Sequence, residues 1–155
     1  NNLNKSKLKK AKTIIFSPGP GNPNNYPLTS KIYYQYKSKK KIIGICLGFQ
    51  QILFCEGAQI IEQKKIYHGF QSNIKVISQN SIFQKNKIFK VGRYHSLKLK
   101  EPFKKNNFDI TMRCLESKVA MAFENKKDKI YGFQFHPESF LTTNGNSLIK
   151  KIISS

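Results

Sequence analysis

The chain has 155 residues and a mass of 17.9 kDa, one domain's worth of polypeptide, able to bury roughly two-thirds of its unfolded surface. Its 39% hydrophobic and 12% aromatic content, spread in short runs, excludes a disordered chain, and no run nears the ~18 apolar residues of a membrane-spanning helix. A net charge of +20 suggests nucleic acid, yet only Arg93 and Arg113 of the 28 basic residues are arginine, and phosphate and base recognition draws on the arginine fork, so nucleic-acid binding is not expected.

The N-terminal stretch, residues 1–10, reads as a solvated lead-in, and Asn1 to Lys12 carries no apolar core of a secretory signal. Thr13 to Phe16 is the first buried strand by length and β-branching, and it stops in Ser17-Pro18-Gly19-Pro20-Gly21-Asn22-Pro23, a stiff loop that can be neither helix nor strand. A helix is predicted from Leu28 to Tyr36, with the lysine run Lys37 to Lys41 as a solvated face. A second buried strand follows from Lys41 to Ile45, ended by Cys46, then a helix over 47–56 stopped by Gly57. Strand-like pieces come next at 60–61, 72–77, 108–112, 119–123 and 130–135, and a closing helix at 146–153. Strand and helix alternate first and antiparallel-looking strands fill the middle, so the class is α/β with an inserted β portion.

Three groups carry chemistry. Gly44-Ile45-Cys46-Leu47-Gly48 has the form of a nucleophile elbow, in which small residues must flank the sharp strand-to-helix turn. There the thiol lies at a helix N-terminus, whose dipole favours thiolate and is expected to lower the cysteine pKa from about 8.5. His136-Pro137-Glu138 follows the last strand. An imidazole there could take and return the thiol proton, and a carboxylate two residues on could fix its tautomer. The Pro-Gly loop offers stiff backbone N–H groups as oxyanion donors. Cys55 lies nine residues after Cys46, half a turn out of phase on a helix, so Cys55 and Cys114 are expected to be core thiols. Three cysteines in no paired pattern argue for a reducing cytoplasm. His68, His95 and His136 share no zinc-ligand spacing, and the phosphate-binding glycine motifs are missing.

In order, SPGPGNP (17–23), GICLGFQ (44–50), YHG (67–69), RYHSL (93–97) and GFQFHPES (132–139) resemble the class I, or triad-type, glutamine amidotransferases. The resemblance runs from about residue 11 to 153. Its nearest form is the glutaminase component of anthranilate synthase, with that of aminodeoxychorismate synthase close behind. It implies a flavodoxin-like three-layer α/β sandwich with inserted antiparallel strands, a single amidotransferase domain over 1–155. It further implies Cys46 as nucleophile, His136 as acid and base, and Glu138 as the residue orienting His136. Gly19, Pro20, Gly21, Gln50, Ser96 and Leu97 would bind glutamine, and the backbone N–H groups of Gly19 and Leu47 would form the oxyanion hole. No metal or organic cofactor is expected in this subunit. The partners would be glutamine and a synthase subunit (anthranilate synthase component I) in a hetero-oligomer, without nucleic acid or membrane. The alternatives are the aminodeoxychorismate branch and a truncated, non-catalytic remnant. Two positions depart from the family pattern. Phe49 stands where histidine is usual, which is expected to alter support more than chemistry, and Phe70 stands where lysine is common. Family members start about 40–50 residues earlier, so the chain reads as N-terminally incomplete, with its first strands missing and the Ile14-Ile15 strand left at a sheet edge.

Overall fold

A computed structural model describes residues 5–155. In chain order it runs α1 (Lys5–Lys10), β1 (Thr13–Phe16), a 3-10 turn (Pro23–Asn25), α2 (Pro27–Tyr36), β2 (Lys41–Ile45), α3 (Leu47–Cys55), β3 (Ile60–Glu62), β4 (Phe70–Val76), β5 (Ile88–Arg93), β6 (Leu97–Leu99), β7 (Asp109–Cys114), β8 (Ala120–Asn125), β9 (Ile130–Phe133) and α4 (Gly145–Ser154). Seven strands form one mixed sheet in the order β1-β2-β9-β8-β7-β4-β5. β1, β2 and β9 are parallel, and every later pairing in the sheet is antiparallel. The inserted strands therefore mostly extend the main sheet, and β3 with β6 makes a separate antiparallel ribbon.

The layers follow from the alternation of side chains along a strand. In β2, Ile42 faces one way, into a core with Tyr33 and Tyr36 of α2 and Phe49, Ile52 and Leu53 of α3. Ile43 and Ile45 face the other, into a core with Val76, Met112, Phe133 and Leu148 and Ile152 of α4. Helices thus cover both faces, as a parallel α/β sheet requires. Among the described residues β1 lies at the sheet edge, paired with β2 alone, and its Ile15 is 49% exposed.

Three expectations need correction. β5 and β6 are strands that the sequence reading passes over. Residues 5–10 are helical rather than a loose lead-in, with Leu8 packed on the core of α2 and α3; residues 1–4 lie outside the described residues. The lysine run 37–41 is not simply solvated. Lys37 pairs with Glu56 at 2.9 Å, Lys40 Nζ donates to the carbonyls of Lys9 and Ala11, and Lys41 Nζ donates to those of Ile152, Ile153 and Ser155. The last two lysines satisfy carbonyls that helix C-termini leave open. Phe49 explains itself: it is fully buried and packs against Phe123 with ring centroids 5.3 Å apart, so this position serves the core.

Candidate active site

The elbow forms because β2 must turn into α3 within one residue. Cys46 takes the whole turn, with φ 53° and ψ −103°, a backbone that non-glycine residues rarely hold and that concentrates at functional sites. The flanking glycines are steric requirements. A Cβ on Gly44 would lie 2.4 Å from the Gly48 carbonyl oxygen, and one on Gly48 would lie 2.1 Å from that of Phe16. The turn is pinned by the Cys46 N–H on the Phe133 carbonyl at 2.7 Å and the Gln50 N–H on the Cys46 carbonyl at 3.1 Å.

The thiol is not activated at rest in the way the elbow alone suggests. Burial pushes Cys46 up to about 11; the Leu47 backbone N–H at the sulfur pulls the other way, and the charge of Glu138 adds a smaller upward push. In a site this enclosed, desolvation of a thiolate outweighs the helix terminus. The cysteine is therefore a neutral thiol at neutral pH and needs a proton acceptor when it reacts.

That acceptor is prepared three residues past the end of the neighbouring strand β9, bridged to β5. His136 Nδ1 donates to Glu138 Oε1 at 2.7 Å, since a carboxylate can only accept, and among the described residues the buried Nε2 has no hydrogen-bond partner. The ring lies edge to face with Tyr94, centroids 5.0 Å apart, and the Tyr94 hydroxyl contacts Ser139 Oγ at 3.1 Å. The His136 backbone bonds to the Gly92 carbonyl at 3.0 Å, and Thr142 Oγ1 accepts from the Gly92 N–H and donates to the His136 carbonyl. β5, absent from the sequence reading, is thus what fixes the histidine in place.

The remaining candidates fall into two groups. Gly19 faces Leu47, since a Cβ on Gly19 would lie 3.0 Å from Leu47 Cδ2. Both line a cleft of about 230 Å³ with Phe16, Ser17, Pro18 and Gly48. Pro20 is held by the Tyr26 hydroxyl on its carbonyl at 2.7 Å, and Gly21 takes φ +77°. On the other side, Gln50 is 3% exposed and its Nε2 reaches the Leu97 carbonyl at 3.4 Å and Gln134 Oε1 at 3.0 Å. Ser96 is exposed beside it, its carbonyl bonded by the Gln63 N–H. Among the described residues no hydrogen bond joins Cys46 to His136, and no group of three His, Cys, Asp or Glu side chains is placed to hold a metal ion. Cys55 lies in the core of α2 and α3, apart from the core that holds Cys46, as its helical phase predicts.

Gln134, His95 and Arg93 went unnoticed as site residues, although each stands in a quoted motif. The available signal was Gln134, a polar residue inside the apolar run Ile130 to Phe135.

A strained cysteine elbow followed in the chain by a carboxylate-backed histidine, on a mixed α/β sheet, defines a class, and comparison with known proteins agrees. The family model for class I glutamine amidotransferases matches residues 1–154. The chain belongs to that family, whose members hydrolyse glutamine. It is 38% identical over 146 residues to anthranilate synthase component 2 of Lactococcus lactis, covering 94% of this chain and 74% of that protein. It is 37% identical to the Helicobacter pylori protein of the same name over 93% of this chain and 72% of that protein. To aminodeoxychorismate synthase component 2 of Klebsiella aerogenes it is 30% identical over 91% and 75%. Among solved structures, a Thermoplasma acidophilum protein assigned to GMP synthase superposes with TM-score 0.82 at 22% identity, over 99% of this chain and 76% of that one. Among the described residues no helix is long and apolar enough to cross a membrane.

Proposed function

We propose that this chain is the glutamine-hydrolysing subunit of a cytoplasmic anthranilate synthase and works as a Cys46–His136–Glu138 triad without a metal or organic cofactor. The observation that carries the triad is the buried His136 Nε2, without a hydrogen-bond partner among the described residues while Nδ1 is held by Glu138, together with a buried Cys46 thiol that feels the charge of that same Glu138. Glutamine binds between the Pro-Gly loop (Gly19, Pro20, Gly21) and the Gln50, Ser96 and Leu97 side. Cys46 Sγ attacks its side-chain carbonyl carbon while the thiol proton passes to His136 Nε2, and Glu138 stabilises the imidazolium. The oxyanion is met by the backbone N–H groups of Leu47 and Gly19. His136 then returns the proton to the departing nitrogen, ammonia leaves, and water attacking through the same histidine hydrolyses the thioester to glutamate. The ammonia passes to a synthase partner in a hetero-oligomer, which uses it to aminate chorismate on the way to anthranilate. The assignment to anthranilate rests on the relatives at 37–38% identity.

The test reconstitutes the chain with an anthranilate synthase component I and measures anthranilate formed from glutamine, with ammonium salt as control. Cys46→Ser is expected to lower the glutamine-dependent rate by at least 10³-fold and to leave the ammonia-dependent rate unchanged. Retained glutamine-dependent synthesis in that variant overturns the mechanism, and a wild type inactive with both the anthranilate and the aminodeoxychorismate synthase subunits identifies a non-catalytic remnant. The relative at 30% identity gives the second reading, the aminodeoxychorismate branch; pull-down against both synthase subunits decides between them.

A further inference from the structure

Gln134 is fully buried one residue past the end of β9, between Phe133 and Phe135. A buried carboxamide is costly unless both ends are hydrogen bonded. Its oxygen accepts from Gln50 Nε2 at 3.0 Å, and its Nε2 lies 3.9 Å from Cys46 Sγ. A carboxamide can be turned end for end, so its orientation must be argued from its neighbours. The Leu97 carbonyl settles it. A carbonyl only accepts, so the Gln50 atom facing it at 3.4 Å is the nitrogen. The same nitrogen faces Gln134, so the Gln134 atom facing it is the oxygen. The nitrogen of Gln134 is then left facing the sulfur.

The Leu97 carbonyl is itself held. It also receives His95 Nδ1 at 2.8 Å, while His95 Nε2 accepts from Arg93 Nε at 3.1 Å. Arginine only donates, so Nε2 must accept and Nδ1 must carry the proton. Two donors thus converge on the Leu97 carbonyl, His95 from the Arg93 side and Gln50 from the other, and Gln50 in turn donates to Gln134, whose amide nitrogen faces the sulfur.

We infer that Gln134 is a positioning residue for Cys46, its amide N–H held toward the sulfur by Gln50 to favour the thiolate as it forms. This rests on Cys46 being the nucleophile. Burial otherwise works against that anion, and the Leu47 N–H alone leaves the thiol well above its ordinary range. A donor 3.9 Å from a neutral thiol can close on a thiolate, since hydrogen bonds to charged acceptors are shorter and stronger. Its effect is therefore greater in the reacting state than at rest, which is the condition for raising kcat.

The test is the pH dependence of Cys46 alkylation by iodoacetamide in the intact chain, with the adduct located by mass spectrometry, together with kcat and KM for glutamine in the reconstituted complex. Gln134→Met keeps length and removes the donor; Gln134→Glu keeps shape and places an acceptor there. The alkylation midpoint is expected to rise by about one pH unit in the Met variant, the order of one hydrogen bond to the charged form, and by more in the Glu variant. The Met variant's kcat should fall about tenfold with KM within twofold. Unchanged alkylation profiles in folded variants overturn the inference, as does a rise in KM alone. If neither variant folds, Gln50→Met, which frees the Gln134 amide to turn, must still raise the midpoint, and no rise overturns the inference. Failure of the nucleophile reading looks different: Cys46→Ser would retain glutamine hydrolysis.

Discussion

Arg93 heads the fully buried side chains by size, and among the described residues no carboxylate pairs with it. Its charge is met by softer partners: the Tyr67 ring face, with Cζ 3.4 Å from the centroid, Cys114 Sγ 3.5 Å from Nη1, and His95 at Nε. Burial and then this neighbouring cation push His95 down to about 4 from the ordinary 6.5. The sign for stability follows directly. Below pH 6.5 the unfolded chain protonates this histidine while the folded chain resists until about pH 4, so acid favours unfolding throughout that window. Wild type is expected to lose on the order of 2–3 kcal/mol between pH 7.5 and 4.5 relative to His95→Phe, which cannot titrate. Urea unfolding of both proteins at each pH measures it, and parallel stability curves would refute the assignment.

The β2–elbow–α3 unit supplies an element-scale test because two effects predict opposite signs. Inside a helix, Gly→Ala ordinarily stabilises by about 1 kcal/mol. At Gly48 the added methyl meets the Phe16 backbone oxygen at 2.1 Å, and a backbone atom cannot rotate away as a side chain can. Gly48→Ala is therefore expected to destabilise by about 2–3 kcal/mol and to lower glutamine hydrolysis by moving α3 off β1. An unchanged or higher urea midpoint would show that the close approach is not required. This unit was legible in the sequence because its signals are local: β-branched runs, paired glycines at fixed offsets, and Gly57 as a stop. β5 was not, because Ile88-Phe89-Lys90-Val91-Gly92-Arg93 carries a glycine and two cations, and its inner face ends in an arginine buried as if it were apolar. β6 is three residues long and exists only through pairing with β3. The same division holds in the site. Cys46, His136 and Glu138 stand out from residue type and turn chemistry. The roles of Gln134 and His95 depend instead on Gln50 meeting residues 84 and 47 positions further along the chain, which only the folded sheet supplies. The thiol's raised pKa belongs there too, since burial is a property of the assembled core.

At the scale of the molecule, the +20 charge concentrates where the fold brings strand starts together. Lys10, Lys12, Lys39, Lys40, Lys41, Lys127 and Lys129 line one open depression whose lining includes a single acid, Asp128. It lies at the N-terminal ends of β1, β2 and β9, and the elbow lies at the C-terminal end of β2. Lys41 shows the strain: burial first and the charge of Lys129 second hold its pKa below the ordinary lysine value, although its ammonium is needed on the last carbonyls of α4. Like charges this close repel through water over about 10 Å at 0.1 M salt and over roughly 3 Å at 1 M. Removing one charge that makes no cap should therefore relieve the others. Lys129→Gln is expected to raise the thermal midpoint by about 1–2 °C at 10–20 mM salt, on the order of 0.5 kcal/mol, with the gain vanishing by about 0.5 M. Lys85→Gln, outside the depression, should give a smaller gain. Differential scanning calorimetry of the three proteins across sodium chloride concentrations reads the effect. A gain for Lys129→Gln that persists at high salt would rule out repulsion within the depression as its cause, and an equal gain for Lys85→Gln would mean that the charge acts only through its total.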